Sequence, residues 1–378
     1  MSWEVAYDRG VFLDPALEKP YMYFITNSRV LVLTLSVITS LTLVPLVGAQ
    51  EAGGGVDQKE VQSLIDAVEE VVESGLASTE RPFEWESAYL RTEKENPSDT
   101  GTTYMIFTIV IDPMTITSPE MAMYLHVRER LETSPQSTTA ALQEESEEDQ
   151  EVESDTFDDW YMVELDQTEQ VTHRVSRAFS VPGGDYDVYV AIKEATSSDL
   201  DVPQIDSPAM ILKEEVTIPD LWNEQLTTSS IILADRVEAL PSQPSAEEQR
   251  ANPYMLGTTR IVPASDSTFA LDEDLSLVFL VYNAVVSEDS KPDVTIEYSF
   301  HQITANGEEY FNKTPPQNFN PETLPPSFDL EEGHPLVAGQ AIPVSFFPVG
   351  DYRLEIKVTD NAGETSLTRD VPFTVSGS

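Results

Sequence analysis

Pro182-Gly183-Gly184-Asp185-Tyr186 and Pro348-Val349-Gly350-Asp351-Tyr352 share the pattern P-x-G-D-Y and stand 166 residues apart. Each opens an alternating run, DVYVAIKEA (187–195) in one copy and RLEIKVTDN (353–361) in the other. A side-chain period of two is the pattern of a half-buried strand. Each run is followed, after a turn, by a last strand with a Val near a Pro: Val216-Thr217-Ile218-Pro219 and Val371-Pro372-Phe373-Thr374-Val375. Gly184 and Gly350 are expected to supply a positive-φ turn ahead of the strand. Tyr186 and Tyr352 are expected to lay a ring across the sandwich end, with Asp185 and Asp351 beside them. The two copies also hold the same place within their β-rich halves. The pattern therefore predicts two related β-sandwich domains, each closing in a hairpin, with Asp360-Asn361-Ala362-Gly363 as a tight loop in the second.

Outward from the repeat, short runs rich in Val, Ile, Tyr and Phe predict strands. In the first half these are 104–111, 121–127, 161–165, 171–179, 186–192 and 211–218. In the second they are 257–262, 275–282, 294–303, 342–347, 352–359 and 365–375. Between 133 and 159 the strand pattern stops, and residues 144–159 carry ten acidic groups and no basic one, which predicts a solvated loop inserted in the first domain. Residues 240–253 (LPSQPSAEEQRANP), with three prolines, read as a linker, and 313–328, with five, as an extended loop. The domains are then 83–239 and 254–378. Ahead of them, Val61, Leu64, Ile65, Val68, Val71 and Val72 form one apolar stripe that predicts a short amphipathic helix over 56–74, capped by Gly75. That helix, within the segment 50–82, suits either packing on the following domain or self-association.

The chain has 378 residues, with 67 acidic and 21 basic, a net charge of −46. Such a charge repels phosphate backbones and excludes nucleic acid as a partner class. It favours basic proteins instead. With no cysteine there are no disulfides, thiolate metal sites or Cys nucleophiles. Val30 to Ala49 is an uncharged apolar run preceded by Arg29 and ended by Val47-Gly48-Ala49, the pattern of a secretory signal starting near Met22 or, uncleaved, of a membrane anchor. Either reading puts the bulk of the chain outside the cytoplasm, in the periplasm or at the cell surface.

PVGDYRLEIKVTDNAGETSLTRDVPFTV (348–375) resembles the closing hairpin of bacterial immunoglobulin-like domains. IPDLWNEQLTTSSIILADRVEAL (218–240) followed by YMLGTTRIVPASDSTFALDEDLSLVFLVYNA (254–284) resembles exported acidobacterial proteins of the GWxTD-domain and von Willebrand-A-related groups. The match covers about 180–378. The chain has no G-W-x-T-D string and no D-x-S-x-S, so the resemblance implies an accessory immunoglobulin-like tail and carries over no catalytic residue.

No G-x-S-x-G, H-E-x-x-H, P-loop or G-x-G-x-x-G pattern occurs. His126 and His173 read as strand-edge or surface residues, and His301 and His334 have no ligand partner near in sequence. Asp272 and Asp274 are weak calcium candidates by ligand type, without EF-hand spacing, and no other cofactor is implied. Trp85, Trp160 and Trp222 could form a sugar-stacking platform or pack internally. The expectation is an exported, non-catalytic interaction or structural protein of two immunoglobulin-like modules. A carbohydrate-binding module and a paired-carboxylate hydrolase are the alternatives.

Overall fold

A computed structural model describes residues 58–75, 82–92, 100–130, 156–165, 172–195, 208–286, 291–330 and 334–377. The run 30–49 and most of the acidic block lie outside these residues. The described chain forms two units. The first extends to Asn223 and takes in Ser245–Pro253; the second holds Glu224–Pro244 and Tyr254 onward.

The first unit contains α1 (Gln58–Ser74) and strands β1 (Glu84–Arg91), β2 (Thr103–Ile111), β3 (Glu120–Glu129), β4 (Thr156–Glu164), β5 (His173–Val181), β6 (Gly184–Glu194) and β7 (Met210–Ile218). They pair in the orders β1-β2-β5 and β4-β3-β6-β7, all antiparallel. Alternation turns Met105, Phe107, Ile109 and Phe179 from the smaller sheet, and Met123, Leu125, Val127, Val188 and Val190 from the larger, into one buried core. The chain changes sheet between β2 and β3, between β4 and β5 and between β5 and β6, which makes the sandwich immunoglobulin-like.

On the other face of β3 and β6, Leu64 and Val68 of α1 are buried against Ala122, Tyr124, Tyr189 and Ala191. The apolar stripe read from the sequence is thus taken up by the chain's own sheet. Gly75 ends the helix at φ 65°, its N–H donating to the carbonyl of Val71 at 2.9 Å.

The second unit contains β8 (Thr227–Thr228), β9 (Ile232–Ala239), β10 (Met255–Leu256), β11 (Thr259–Pro263), β12 (Thr268–Ala270), β13 (Asp274–Tyr282), β14 (Val294–Thr304), β15 (Gly307–Lys313), β16 (Gln317–Phe319), β17 (Leu336–Pro343), β18 (Gly350–Asp360) and β19 (Thr365–Ser376). Its sheets run β10-β11-β9-β13-β17 and β12-β19-β18-β14-β15, with β8 on β13, β16 on β14, and β12 parallel to β19. Setting β9, β13 and β17 beside β1, β2 and β5, and β15, β14, β18 and β19 beside β4, β3, β6 and β7, shows one strand order in both sandwiches. The duplication inferred from P-x-G-D-Y holds at the level of topology.

Several boundaries differ from the sequence expectation. Residues 240–253 are not a structureless linker: α2 (Ala246–Ala251) folds there on a capping box between Ser245 and Glu248 and belongs to the first unit. The first unit's main run ends at Asn223 rather than 239, because Ile232–Ala239 pairs with β11 and β13. Asp158 and Asp159, expected in the acidic loop, lie in β4. The strand expected at 342–347 runs instead over Leu336–Pro343 and ends in a 3-10 turn, Val344–Phe346. The proline-rich 313–328 includes β16, and β1, β9 and β15 were not foreseen. In the turn ahead of the Tyr, Gly350 has φ 150°, as expected, but Gly184 does not take up a positive φ.

Candidate functional site

The repeat resolves into three structural devices. Tyr186 donates its hydroxyl to the carbonyl of Pro182 at 3.0 Å, and Tyr352 does so to Pro348 at 2.7 Å. This is a tyrosine corner, tying the start of a strand to the turn four residues upstream. Asp185 accepts a hydrogen bond from the Thr217 hydroxyl, and Asp351 accepts one from Thr374 at 2.8 Å, pinning the two strands of each closing hairpin together at the same register. At the far end of the same strands, Glu194 accepts from the backbone N–H groups of Thr117 and Ser118. Asp360, 166 residues later, accepts from Val285, Ala362 and Gly363. Each carboxylate therefore clamps a loop to the end of its strand. The Asp360 clamp explains why Asp360-Asn361-Ala362-Gly363 closes tightly.

Surface charges at equivalent positions are reversed. Asp187, one residue past the first Tyr, pairs with Lys213 at 2.9 Å. Arg353, one past the second Tyr, pairs with Asp370, which occupies the position on β19 that Lys213 occupies on β7. Arg130 and Glu215 extend the first group, while Glu308 and Glu355 surround Arg353. The hydrogen bond to Glu308 leads those that keep Arg353 firmly charged.

On the outer face of β4-β3-β6-β7, at the margin of the cluster under α1, polar side chains form a linked group. Tyr124 donates to Asp158 Oδ1 at 2.8 Å, and His126 Nδ1 pairs with the same oxygen at 2.6 Å. Tyr189 flanks His126, the rings 5.7 Å apart, and the Lys213 ammonium stands 5.7 Å from the Tyr189 ring centre. Burial alone pushes the Asp158 carboxyl up, but the bonds from His126 and Tyr124 outweigh it and hold it below its ordinary value. Burial, then the bond to Asp158, pushes the Tyr124 phenol far up. The array can offer hydrogen bonds and charge as a recognition surface.

The three tryptophans are not brought into one platform. Trp85 on β1 stacks on Phe107 of the core at 4.9 Å. Trp160 packs with the α1 cluster. Trp222, just after β7, donates its indole N–H to the carbonyl of Thr102 at 3.0 Å, with the Arg91 guanidinium 4.2 Å above its ring. A Cβ on Gly101 would lie 2.2 Å from that ring, so the site requires glycine. Asp272 and Asp274 lie exposed around the turn into β13, and no metal-holding group of three His, Asp or Glu side chains forms among the described residues. His173 is buried at the start of β5 rather than on the surface, because β5 turns its odd-numbered side chains inward. His301 faces Glu308 at 3.4 Å, and His334 Nδ1 accepts from the N–H of Asp329.

Sequence reasoning missed one buried ionic group altogether. Asp159 points inward from β4 with 6% of its side chain exposed and pairs with Arg250 of α2. Arg250 also donates to the carbonyl of Trp160 at 2.8 Å. Its guanidinium and that of Arg177 lie 4.7 and 4.9 Å from the centre of the Tyr161 ring. An Asp inside a run of ten acidic residues gives no signal that it is the one to be buried.

No family model matches the chain, and no curated protein does. Among solved structures it is similar to Salmonella alpha-2-macroglobulin reacted with methylamine, at 11% identity and a TM-score of 0.19 over 80% of this chain and 17% of that one. It is also similar to a point mutant of the same macroglobulin, at 10% identity and a TM-score of 0.18 over 79% and 17%. The chain thus spans less than a fifth of the length of these proteins.

Proposed function

We propose that the protein is an exported, non-catalytic interaction or structural protein of the periplasm or cell surface, built on two immunoglobulin-like modules. The observation that carries this reading is that the modules repeat one frame and vary one surface. The tyrosine corner, the Asp–Thr pin and the carboxylate clamp recur at equivalent positions, as folding of each module requires. The outer-face pair Asp187–Lys213 is reversed to Arg353–Asp370, as selection of different contacts requires. The apolar run at 30–49 supports export, and the resemblance of 180–378 to accessory tails of exported proteins supports the non-catalytic role. Among the described residues no helix is long and apolar enough to cross a membrane. The partners are proteins with basic surfaces, drawn by the net charge of −46.

Cell fractionation with cross-linking and mass spectrometry tests this. The expected result is a chain outside the cytoplasm, cross-linked to a fixed set of proteins that is lost when the exposed Glu215 and Asp370 are both changed to Lys. A cytoplasmic chain, or turnover on a hydrolase substrate panel that a single Asp or Glu substitution abolishes, overturns the reading.

A further inference from the structure

We propose that Ser245–Pro253 is a releasable latch that closes the side of the first sandwich between β4 and β5. Those two strands are edges, β4 of the larger sheet and β5 of the smaller, so no backbone pairing closes that side. Two inward charges stand there, Asp159 on β4 and Arg177 on β5, both buried. The latch covers them chiefly with polar contacts, the Arg250 guanidinium lying over the Tyr161 ring and Pro253 being its one buried residue. α2 is six residues long and buries no residue of its own, so neither helix propensity nor apolar packing holds it in place. It is held by Arg250, on Asp159 and on the Trp160 carbonyl, and by Arg177, which donates to the Ala251 carbonyl at 3.2 Å.

Two features make release accessible. The Arg250 side chain remains 28% exposed, so water reaches one side of the ion pair. Arg177 lies within electrostatic reach of Asp159 and offers it a second cation when Arg250 leaves. Asp159 thus has a partner in the closed state and another in the open one, the condition for a two-state element. The closed state is also incompletely satisfied, since Arg177 Nε has no hydrogen-bond partner. Chain connectivity gives the latch its reach: it is joined to β9 on one side and β10 on the other, both strands of the second unit.

Limited trypsin digestion of the full chain tests the proposal, because the Arg250–Ala251 bond is itself a tryptic site. In the native protein that bond should resist cleavage while Arg250 is held. Asp159→Asn keeps the cleavable residue and weakens its anchor; cleavage there should rise at least about tenfold, with amide exchange increasing in β4 and β5 and unchanged in β18 and β19. Glu248→Ala, which removes the capping box without touching the buried group, should also speed cleavage, by a smaller factor. This variant keeps the test decisive if Asp159→Asn fails to fold. Equal cleavage rates in the native protein and both variants overturn the latch. So does a loss of exchange protection in both units together, which makes Asp159–Arg250 a plain structural ion pair.

Discussion

Tyr352 and Tyr186 do the same work 166 residues apart, each returning its hydroxyl to a proline carbonyl four residues back. Changing either to Phe keeps the ring and removes one hydrogen bond, so each variant should lose about 1 kcal/mol of stability by denaturant unfolding. The loss should appear only in the unit that carries the change. Asp158 sets an acid limit on the first sandwich. Its carboxyl is held below the ordinary aspartate value, so its contribution is complete above about pH 4 and is lost as pH falls further through its folded value. Asp158→Asn should lower the first unit's stability at neutral pH and flatten the acid limb of its stability-against-pH curve, so that native and variant curves converge below about pH 4. An unchanged acid limb would remove Asp158 from that role.

At the scale of elements, α1 shows how a sheet stabilises a helix that could not stand alone. Seventeen residues are marginal in water, and the helix persists because Leu64 and Val68 are buried against β3 and β6. Leu64→Ala should cost about 2–5 kcal/mol of docking and melt the helix, read as lost helical circular dichroism with the β signal retained. Much of this architecture was legible beforehand. The stripe from Val61 to Val72, the closing strands and the glycine cap follow from local spacing. β1, β9 and β15 were not. EWESAYLR and GEEYFNK carry too many charges to read as strands, yet each pairs along the edge of a sheet whose central strands supply the apolar face. Asp159 was misread for a related reason: its surroundings in sequence are acidic loop, while its surroundings in space are Arg250 and Tyr161.

For the whole molecule, 67 acidic against 21 basic residues mean that the folded state is strained by its own charge. Raising sodium chloride from about 10 mM to about 0.3 M shortens the Debye length from roughly 30 Å to below 10 Å. The thermal midpoint should therefore rise with salt, against the usual loss from screened surface pairs, as differential scanning calorimetry would show. A falling midpoint would mean that the ion pairs around Arg353 and Lys213 outweigh the net repulsion. With no cysteine, both sandwiches rely on packing, the tyrosine corners and the carboxylate clamps.

What the sequence determined by itself was whatever depends on near neighbours. Alternation marks the strands, the P-x-G-D-Y pair marks the duplication, a glycine at 350 marks a turn closed to other residues, and a sequence with no cysteine has no disulfides. Only the tertiary structure decided where each polar group finds its partner. Thr217 answers Asp185, Thr374 answers Asp351, Val285 answers Asp360, and Arg250 reaches Asp159 across 91 positions. Periodicity is a local property and survives in one dimension. Pairing of buried charges, the separation of the three tryptophans and the attachment of α2 to the first sandwich depend on which strands are edges, which is set by the pairing of segments far apart in the chain.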